Sequence, residues 1–310
     1  MTGAAAPVGV TVGILTFRRP DGLREALPRL LEQVRQVPGA ELLVVDNDDV
    51  PSARDIVAER EAAGDPVRYV HEPDPGIVSA RNRALDETTG DILVFIDDDE
   101  IPSPAWLRTM LATHEEYGCA AVAGAVVAQF EQEPDRWIAE GKFFERKRYP
   151  TGTRVPAAGT GNLLLDMRLV REWGLRFDQA FRFTGGSDTA FTSEIVARGG
   201  EIVFCDEASI VDIVPVERAT RSWVLQRAFR NGNARARVHL LGVRSRGAAL
   251  RGRVKLAVQG AARVAGGAVR SLGGLATLDT GLRAQGARTA VRGAGMVAGA
   301  VGSVYQEYRR

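Results

Sequence analysis

Cysteine is scarce: Cys119 and Cys205 are the only two in 310 residues. That excludes a disulfide framework and a four-cysteine zinc site, and both thiols are expected reduced in a core, as in a cytoplasmic protein. The three histidines, His71, His114 and His239, lack metal-ligand spacing. No uncharged run reaches the ~18 apolar residues that span a bilayer. The opening residues, Met1 to Pro7, lack the basic start and apolar stretch of a secretory signal. Aromatic residues make up 6%, whereas apolar residues make up 45% and charged ones 25%. Those two larger fractions exclude a mostly disordered chain, a collagen and a polytopic membrane protein.

What is present is unevenly distributed. The net charge of +1 hides a basic C-terminal stretch. Residues 235–310 carry 14 Arg and Lys against Asp279 and Glu307, a net +12, which leaves −11 for the first 234 positions. Such a division implies a catalytic or binding body, residues 1–234, and a basic, Ala/Gly/Arg-rich helical region, 235–310, that meets an anionic surface.

The body alternates strands and helices. Val8–Phe17, Glu41–Val45, Val67–Val70 and Ile92–Ile96 are apolar runs of strand length. Leu23, Leu27, Leu30, Leu31 and Val34 recur at helical spacing between the first two. Ser52 is a candidate helix cap, and Ile77–Leu85 reads as another helix. Pro104 stands at a first helical position before Trp106. The order predicts an α/β fold with a mostly parallel sheet, whose ligands gather at the carboxyl ends of the strands. Beyond Ala120 the pattern loosens. Ala121–Phe130 reads as a strand and residues 131–156 as an aromatic, charged loop. Ile202–Phe204 and Ser209–Val214 read as two further strands, with a helix around Trp223–Arg230.

Asp97, Asp98, Asp99 and Glu100 follow the fourth strand directly. Four adjacent carboxylates repel unless a cation or water relieves them. Hard divalent cations prefer such oxygens, and magnesium takes one or two carboxylates with water and phosphates. In an extended segment Asp97 and Asp99 point to one side and Asp98 to the other. An acidic, solvated loop is the alternative.

The segments VGILTFRRPDGLREAL, LLVVDND, PGIVSARNRALDETTGDILVFIDDDEIPSPAWL, GTGNLLL, FTGGSDTAF and VPVERATRSWVLQRAFRNG occur in that order over residues 8–234. Together they resemble glycosyltransferases of family 2, which have the Rossmann-like GT-A fold, and most of all bacterial members that build exopolysaccharides and other cell-surface glycans. The resemblance implies a nucleotide-diphosphate sugar donor, a glycan or lipid-linked acceptor and a divalent cation, Mg2+ or Mn2+. It places Thr16, Phe17 and Arg18 against base and phosphates, Asp46 at the base and Arg81 beside the nucleotide. It assigns Asp97 and Asp98 to the ribose- and metal-facing part of the Asp-x-Asp motif and Asp99 to its metal-binding end. It makes Asp188 the general base of an inverting transfer. Packing remains the other reading of Thr16 and Phe17, a strand end that of Asp46, a surface helix position that of Arg81, and a helix cap that of Asp188.

The chemistry agrees with those roles. A departing diphosphate needs charge stabilisation, which a Lewis-acidic cation and arginines such as Arg18 or Arg81 supply. An acceptor hydroxyl needs a carboxylate to take its proton. Two positions depart from the family pattern. Ser187-Asp188 stands where members often have Glu-Asp, and Asp212 where they often have a histidine that reaches the metal or diphosphate. Asp212 is therefore a candidate ligand. The Gln-x-x-Arg-Trp motif of processive synthases is absent, since Gln226-Arg227-Ala228-Phe229-Arg230 has another spacing. With no membrane span, addition of a single sugar is expected. A sugar-phosphate nucleotidyltransferase would need a Gly-rich phosphate loop near the N-terminus, which is not seen. A non-catalytic, membrane-associated nucleotide-sugar-binding protein would not need Asp97, Asp99 and Asp188.

In the tail, Leu240, Val243, Leu250, Val254, Leu256 and Val258 are interspersed with Arg244, Arg246, Arg251, Arg253 and Lys255. A basic amphipathic surface suits the anionic inner face of the cell membrane, where a lipid-linked acceptor is also found. A helical subdomain packed on the body is the alternative. Few aromatics stand in the tail, so nucleic acid is not expected as a partner.

Overall fold

The computed structural model describes residues 9–241 and 245–305. Its strands form one eight-stranded sheet in the order β3-β2-β1-β4-β7-β6-β8-β5. Strands β1 (Val10–Thr16), β2 (Ala40–Asp46), β3 (Val67–His71) and β4 (Ile92–Asp97) pair in parallel. Almost every residue of β1, β2 and β4 is buried, as expected of parallel strands covered on both faces. Helix α1 (Pro20–Arg35) buries Leu23, Leu27, Leu30, Leu31 and Val34, the row read from its spacing. Helices α2 (Arg54–Ala62) and α3 (Ile77–Glu87) complete the crossovers.

The other half of the sheet contains antiparallel pairs. β7 (Asn162–Asp166) is antiparallel to β4 and to β6 (Ala121–Phe130), and β5 (Glu100–Pro102) is antiparallel to β8 (Ile202–Val214). Asn162 fastens this half. Its Oδ1 accepts from Trp106 Nε1 of α4 (Trp106–Tyr117), and its amide donates to the carbonyls of Ala125 and Ala208. A buried amide with three good partners removes a desolvation cost and fixes register at once. Both cysteines are free and buried, and burial pushes the Cys119 thiol up to about 11.

Three local expectations are corrected. Ile202–Phe204 and Ser209–Val214 belong to one strand, β8, because Asp206 and Glu207 continue it rather than turn. Residues 131–156 contain α5 (Arg136–Gly141), capped by Asp135, whose carboxylate accepts from the Trp137 amide. Ser52 does not cap α2; its hydroxyl donates to Asp48. Two shorter helices, α6 (Met167–Glu172) and α7 (Ser187–Ala197), complete this part of the chain.

The chain divides into two compact units. The first comprises residues up to Val127, Arg146–Arg182 and Ser187–Asp212. The second comprises Ala128–Glu145, Phe183–Gly186 and Ile213–Arg310. The 234/235 division expected from charge falls inside α8 (Arg221–Leu241) of the second unit. The basic region forms α9 (Arg246–Ala276) and α10 (Thr280–Ala300). These two pack antiparallel through glycines seven residues apart: Gly260 faces Gly293, Gly267 faces Gly286, and Gly274 abuts the Arg283 backbone. A Cβ on Gly267 would stand 2.4 Å from the Ala290 nitrogen, so the two backbones touch along this seam. Among the described residues no helix is long and apolar enough to cross a membrane.

Candidate active site

The carboxyl ends of β1, β2 and β4 lie side by side, because Thr16 pairs with Asp46 and Leu15 with Asp97. This is where a parallel sheet collects its ligands. Thr16 is buried and donates to Asp98 Oδ2 at 2.9 Å. Phe17, by contrast, is 39% exposed, with the Arg18 guanidinium over its ring. Arg18 takes a left-handed φ of 54°, costly for a side chain with a Cβ. Its amide donates to Asp48 Oδ1, and its guanidinium meets Asp49 at 3.0 Å. Asp46 is fully buried, with both oxygens engaged: Oδ1 accepts from the Asp48 amide, and Oδ2 from the Ala53 amide and the Tyr69 hydroxyl. Its carboxylate thus organises the loop after β2.

The acidic segment is bent rather than extended. Strand β4 stops at Asp97 and β5 starts at Glu100, with a two-residue turn between. The expected alternation of Asp98 against Asp97 and Asp99 therefore fails. Arg19 Nη1 reaches Asp98 Oδ1 and Asp99 Oδ2, each at 2.8 Å. Burial pushes the Asp98 carboxyl up to about 6 against the pull of Arg19 and Thr16. Asp97 is also raised, by burial first and then by Asp99 and Asp212, while Arg81 and Arg146 oppose it. Glu100 is raised well above the usual range by burial and by Asp97, although its Oε2 accepts from the Asp97 amide at 3.0 Å. Register places Glu100 opposite Asp212, and Arg146 holds Asp212 at 2.8 Å.

The Gly159-Thr160-Gly161 turn borders these carboxylates. A Cβ on Gly161 would meet Glu100 at 2.7 Å and Asp97 at 3.0 Å, so only glycine lets the backbone pass. A Cβ on Gly159 would lie 3.5 Å from Asp188 Oδ2. Asp188 sits in the first turn of α7, where Oδ1 accepts from the Thr189 amide. Arg81, on α3, donates to Ser187 Oγ at 2.6 Å and lies over the Phe177 ring. Its Nε is buried without a partner.

The structure therefore gathers Thr16, Arg81, Asp97, Asp98, Asp99 and Asp212, with Asp188 across the glycine turn. Four further residues of the site receive no role from the sequence. Glu100 is visible in the acidic run, but its orientation depends on the β5–β8 register. Arg19 and Arg146 stand in polar stretches with no distinguishing pattern. Ser187 is marked in the sequence only as a departure from the family pattern.

The donors suit a hard cation in kind. Asp97, Asp98, Asp99, Glu100 and Asp212 supply oxygens, and Arg19, Arg81 and Arg146 offset part of their charge. Among the described residues no three such groups form a ready-made metal cage. Magnesium, however, needs only one or two carboxylates when phosphates and water complete its shell.

A family profile described as "Glycosyl transferase family 2" matches residues 11–173. The succinoglycan biosynthesis protein ExoM of Rhizobium meliloti (strain 1021) is 36% identical over 231 residues, 74% of each chain. The chain belongs to glycosyl transferase family 2. This family 2 glycosyltransferase is a glycosyl-transfer enzyme with the GT-A fold. Among solved structures, it resembles the mannosyltransferase PcManGT from Pyrobaculum calidifontis, in complex with GDP-Man and Mn2+, at a TM-score of 0.62 and 20% identity. That match covers 96% of this chain and 88% of the other. GalNAc-T7 with UDP, GalNAc and Mn2+ aligns at a TM-score of 0.56 and 12% identity, over 75% of this chain and 51% of that one.

Proposed function

We propose that this glycosyltransferase moves a sugar from a nucleoside-diphosphate donor to a hydroxyl of a glycan or lipid-linked acceptor, with inversion and with a divalent cation, in cell-surface polysaccharide synthesis. The observation that carries this reading is that one glycine turn borders Asp97 and Glu100 at Gly161 and Asp188 at Gly159. The relative in Rhizobium meliloti, a succinoglycan biosynthesis protein, supports a polysaccharide product. The GDP-Man and Mn2+ held by the Pyrobaculum calidifontis mannosyltransferase support the donor and the cation.

In this mechanism Phe17 faces the base, and the loop braced by Asp46 shapes its pocket. Arg18 and Arg81 face the phosphates, and Asp98, held by Thr16 and Arg19, faces the ribose. Asp97, Asp99 and Asp212 are the residues that would hold Mg2+ or Mn2+; when bound, the ion stabilises charge on the departing diphosphate as a Lewis acid. Asp188 takes the acceptor proton at Oδ2, the oxygen left free by the Thr189 amide. The acceptor oxygen bonds to the anomeric carbon as the carbon–phosphate oxygen bond breaks. The nucleoside diphosphate leaves, and Asp188 carries the proton.

Location at the inner face of the membrane belongs to the same proposal. Leu250, Val254, Val258, Val269 and Leu272 are exposed on α9, among arginines. Apolar insertion beside cationic charge is the pattern of an interfacial helix.

The deciding experiment is a thermal-shift screen of nucleoside diphosphates with and without Mn2+ or Mg2+, followed by donor hydrolysis with the responding nucleotide. A cation-dependent shift and release of free sugar are expected. No response to any nucleotide with either cation overturns the proposal.

A further inference from the structure

The second unit contains a cavity of about 300 Å3 bounded by the segment after α5 and by α9 and α10. Five cations line it: Lys142, Arg263, Arg270, Arg288 and Arg292. One acid lines it, Glu145, already paired with Lys142 at 3.3 Å. A neighbouring cavity of about 500 Å3 shares Arg263 and Thr289 with the first and adds Arg235.

Among the described residues none of these arginines is in an ion pair, although the Glu145 charge acts on Arg288. Arg288 donates to the Lys142 carbonyl at 2.7 Å, and Arg270 to Gln285 Oε1 at 2.5 Å, both neutral acceptors. Among the described residues no carboxylate stands in ion-pair range of Arg235, Arg263 or Arg292. Helix packing forces them together, since the glycine seam brings α9 and α10 close and their arginines flank it. Burial holds the Arg292 guanidinium below its usual value, and Arg235, Arg288 and Arg263 lower it further. Burial lowers Arg288 as well, with the Glu145 charge opposing it. Arginines of the first unit such as Arg19, Arg35, Arg68, Arg146 and Arg176 sit in ion pairs, which Arg235, Arg263 and Arg292 lack among the described residues.

We propose that this cavity binds a phosphate or diphosphate group, held by Arg263, Arg288 and Arg292. Phosphate oxygens accept the paired N–H groups of planar guanidinium in charge-assisted bonds. A multivalent anion would also remove the repulsion between the arginines. Thr289 lines both cavities at their junction, with its hydroxyl donating to the Gln285 carbonyl at 2.8 Å. The site shares no residue with the carboxylate site that serves the donor, so it goes beyond the reaction proposed above. The group can arrive on a water-soluble molecule or on a lipid. The exposed apolar residues of α9, the helix that supplies Arg263 and Arg270, accommodate either source.

The test uses the full chain in EDTA, which removes cation-dependent binding of diphosphates at the donor site. Calorimetric titration with inorganic pyrophosphate forms one arm. Flotation with vesicles of phosphatidylcholine, with and without phosphatidic acid, forms the other. The double variant Arg263→Gln/Arg292→Gln should lose binding at least tenfold, and Thr289→Glu should lose it by placing a carboxylate at the junction. Donor-nucleotide affinity measured with Mn2+ should stay unchanged in both variants, which separates this site from the donor site. The double variant should also melt no lower than the parent without pyrophosphate, since a repulsion is removed. Binding of pyrophosphate identifies a soluble source, and binding only of phosphatidic acid vesicles a lipid source. The proposal is overturned if the parent chain binds neither, or if both variants retain binding within twofold.

Discussion

Arg81 donates to Ser187 Oγ at 2.6 Å and so ties α3 to the first turn of α7, one residue before Asp188. The bond fixes where the helix carrying the proposed base begins. It also occupies the position at which the resemblance read from the sequence implies an acid in place of Ser187. A carboxylate there would pair with Arg81 and draw its charge away from Asp97, which lies within its field.

Ser187→Ala should therefore lower kcat about tenfold while donor KM changes little. A misplacement of about 1 Å can cost ~100-fold, so the effect of one lost hydrogen bond should lie below that limit. Ser187→Thr keeps the hydroxyl and should restore most of the rate. Steady-state kinetics of the two variants checks the split between kcat and KM. An equal loss in both variants would assign the effect to packing.

Asp188→Asn should reduce turnover at least ~100-fold, the lower range for general-base catalysis. Donor affinity should hold, because the group acts on the acceptor. Retained anomeric configuration in the product, read by NMR, would exclude the inverting mechanism.

Asp99→Asn should abolish the cation-dependent part of nucleoside-diphosphate stabilisation in a thermal shift. The fold should survive, because Arg19 keeps its contact with Asp98. An undiminished cation effect in this variant would remove Asp99 from the ligand set.

Asp166 supplies a pH test away from the site. Burial raises its carboxyl, but the nearby His114 ring and the hydrogen bonds from Arg168 outweigh burial and hold it far below the usual range. The stronger contacts come from Arg168, at 2.7 Å, with His114 Nε2 at 3.5 Å. A depressed carboxylate contributes stability above its unfolded pKa of ~3.9, and that stability is lost as pH falls towards the folded value. Urea midpoints should thus fall more steeply below about pH 4 in the parent than in Asp166→Asn, whose side-chain oxygen still caps α6. Parallel curves would show that Asp166 carries no linkage.

Gly267→Val tests the seam between α9 and α10. The new Cβ would press on backbone at 2.4 Å, which cannot rotate away. A loss of about 1–3 kcal/mol is expected from overpacking, together with reduced pyrophosphate binding if the arginines move apart. Exposed Gly266, beside it, has nothing within 4 Å, so Gly266→Ala should be neutral or slightly stabilising.

Sequence alone determined the parallel half of the fold. The runs Val10–Thr16, Ala40–Asp46 and Ile92–Asp97 are apolar because both faces are covered, and apolar runs survive as a pattern whatever lies beside them. The acidic segment was legible for the same reason, since four carboxylates after a buried strand are conspicuous in one dimension. Tertiary structure decided which of them face one another. A two-residue turn brought Asp98 and Asp99 to one arginine, and the β5–β8 register set Glu100 against Asp212. Neither Arg19 nor Arg146 stands out in the chain, because an ion pair 66 residues apart leaves no local period. The tail divides in the same way. Its charge was countable, but the cavity that concentrates it exists only because glycines seven residues apart let α9 and α10 meet backbone to backbone.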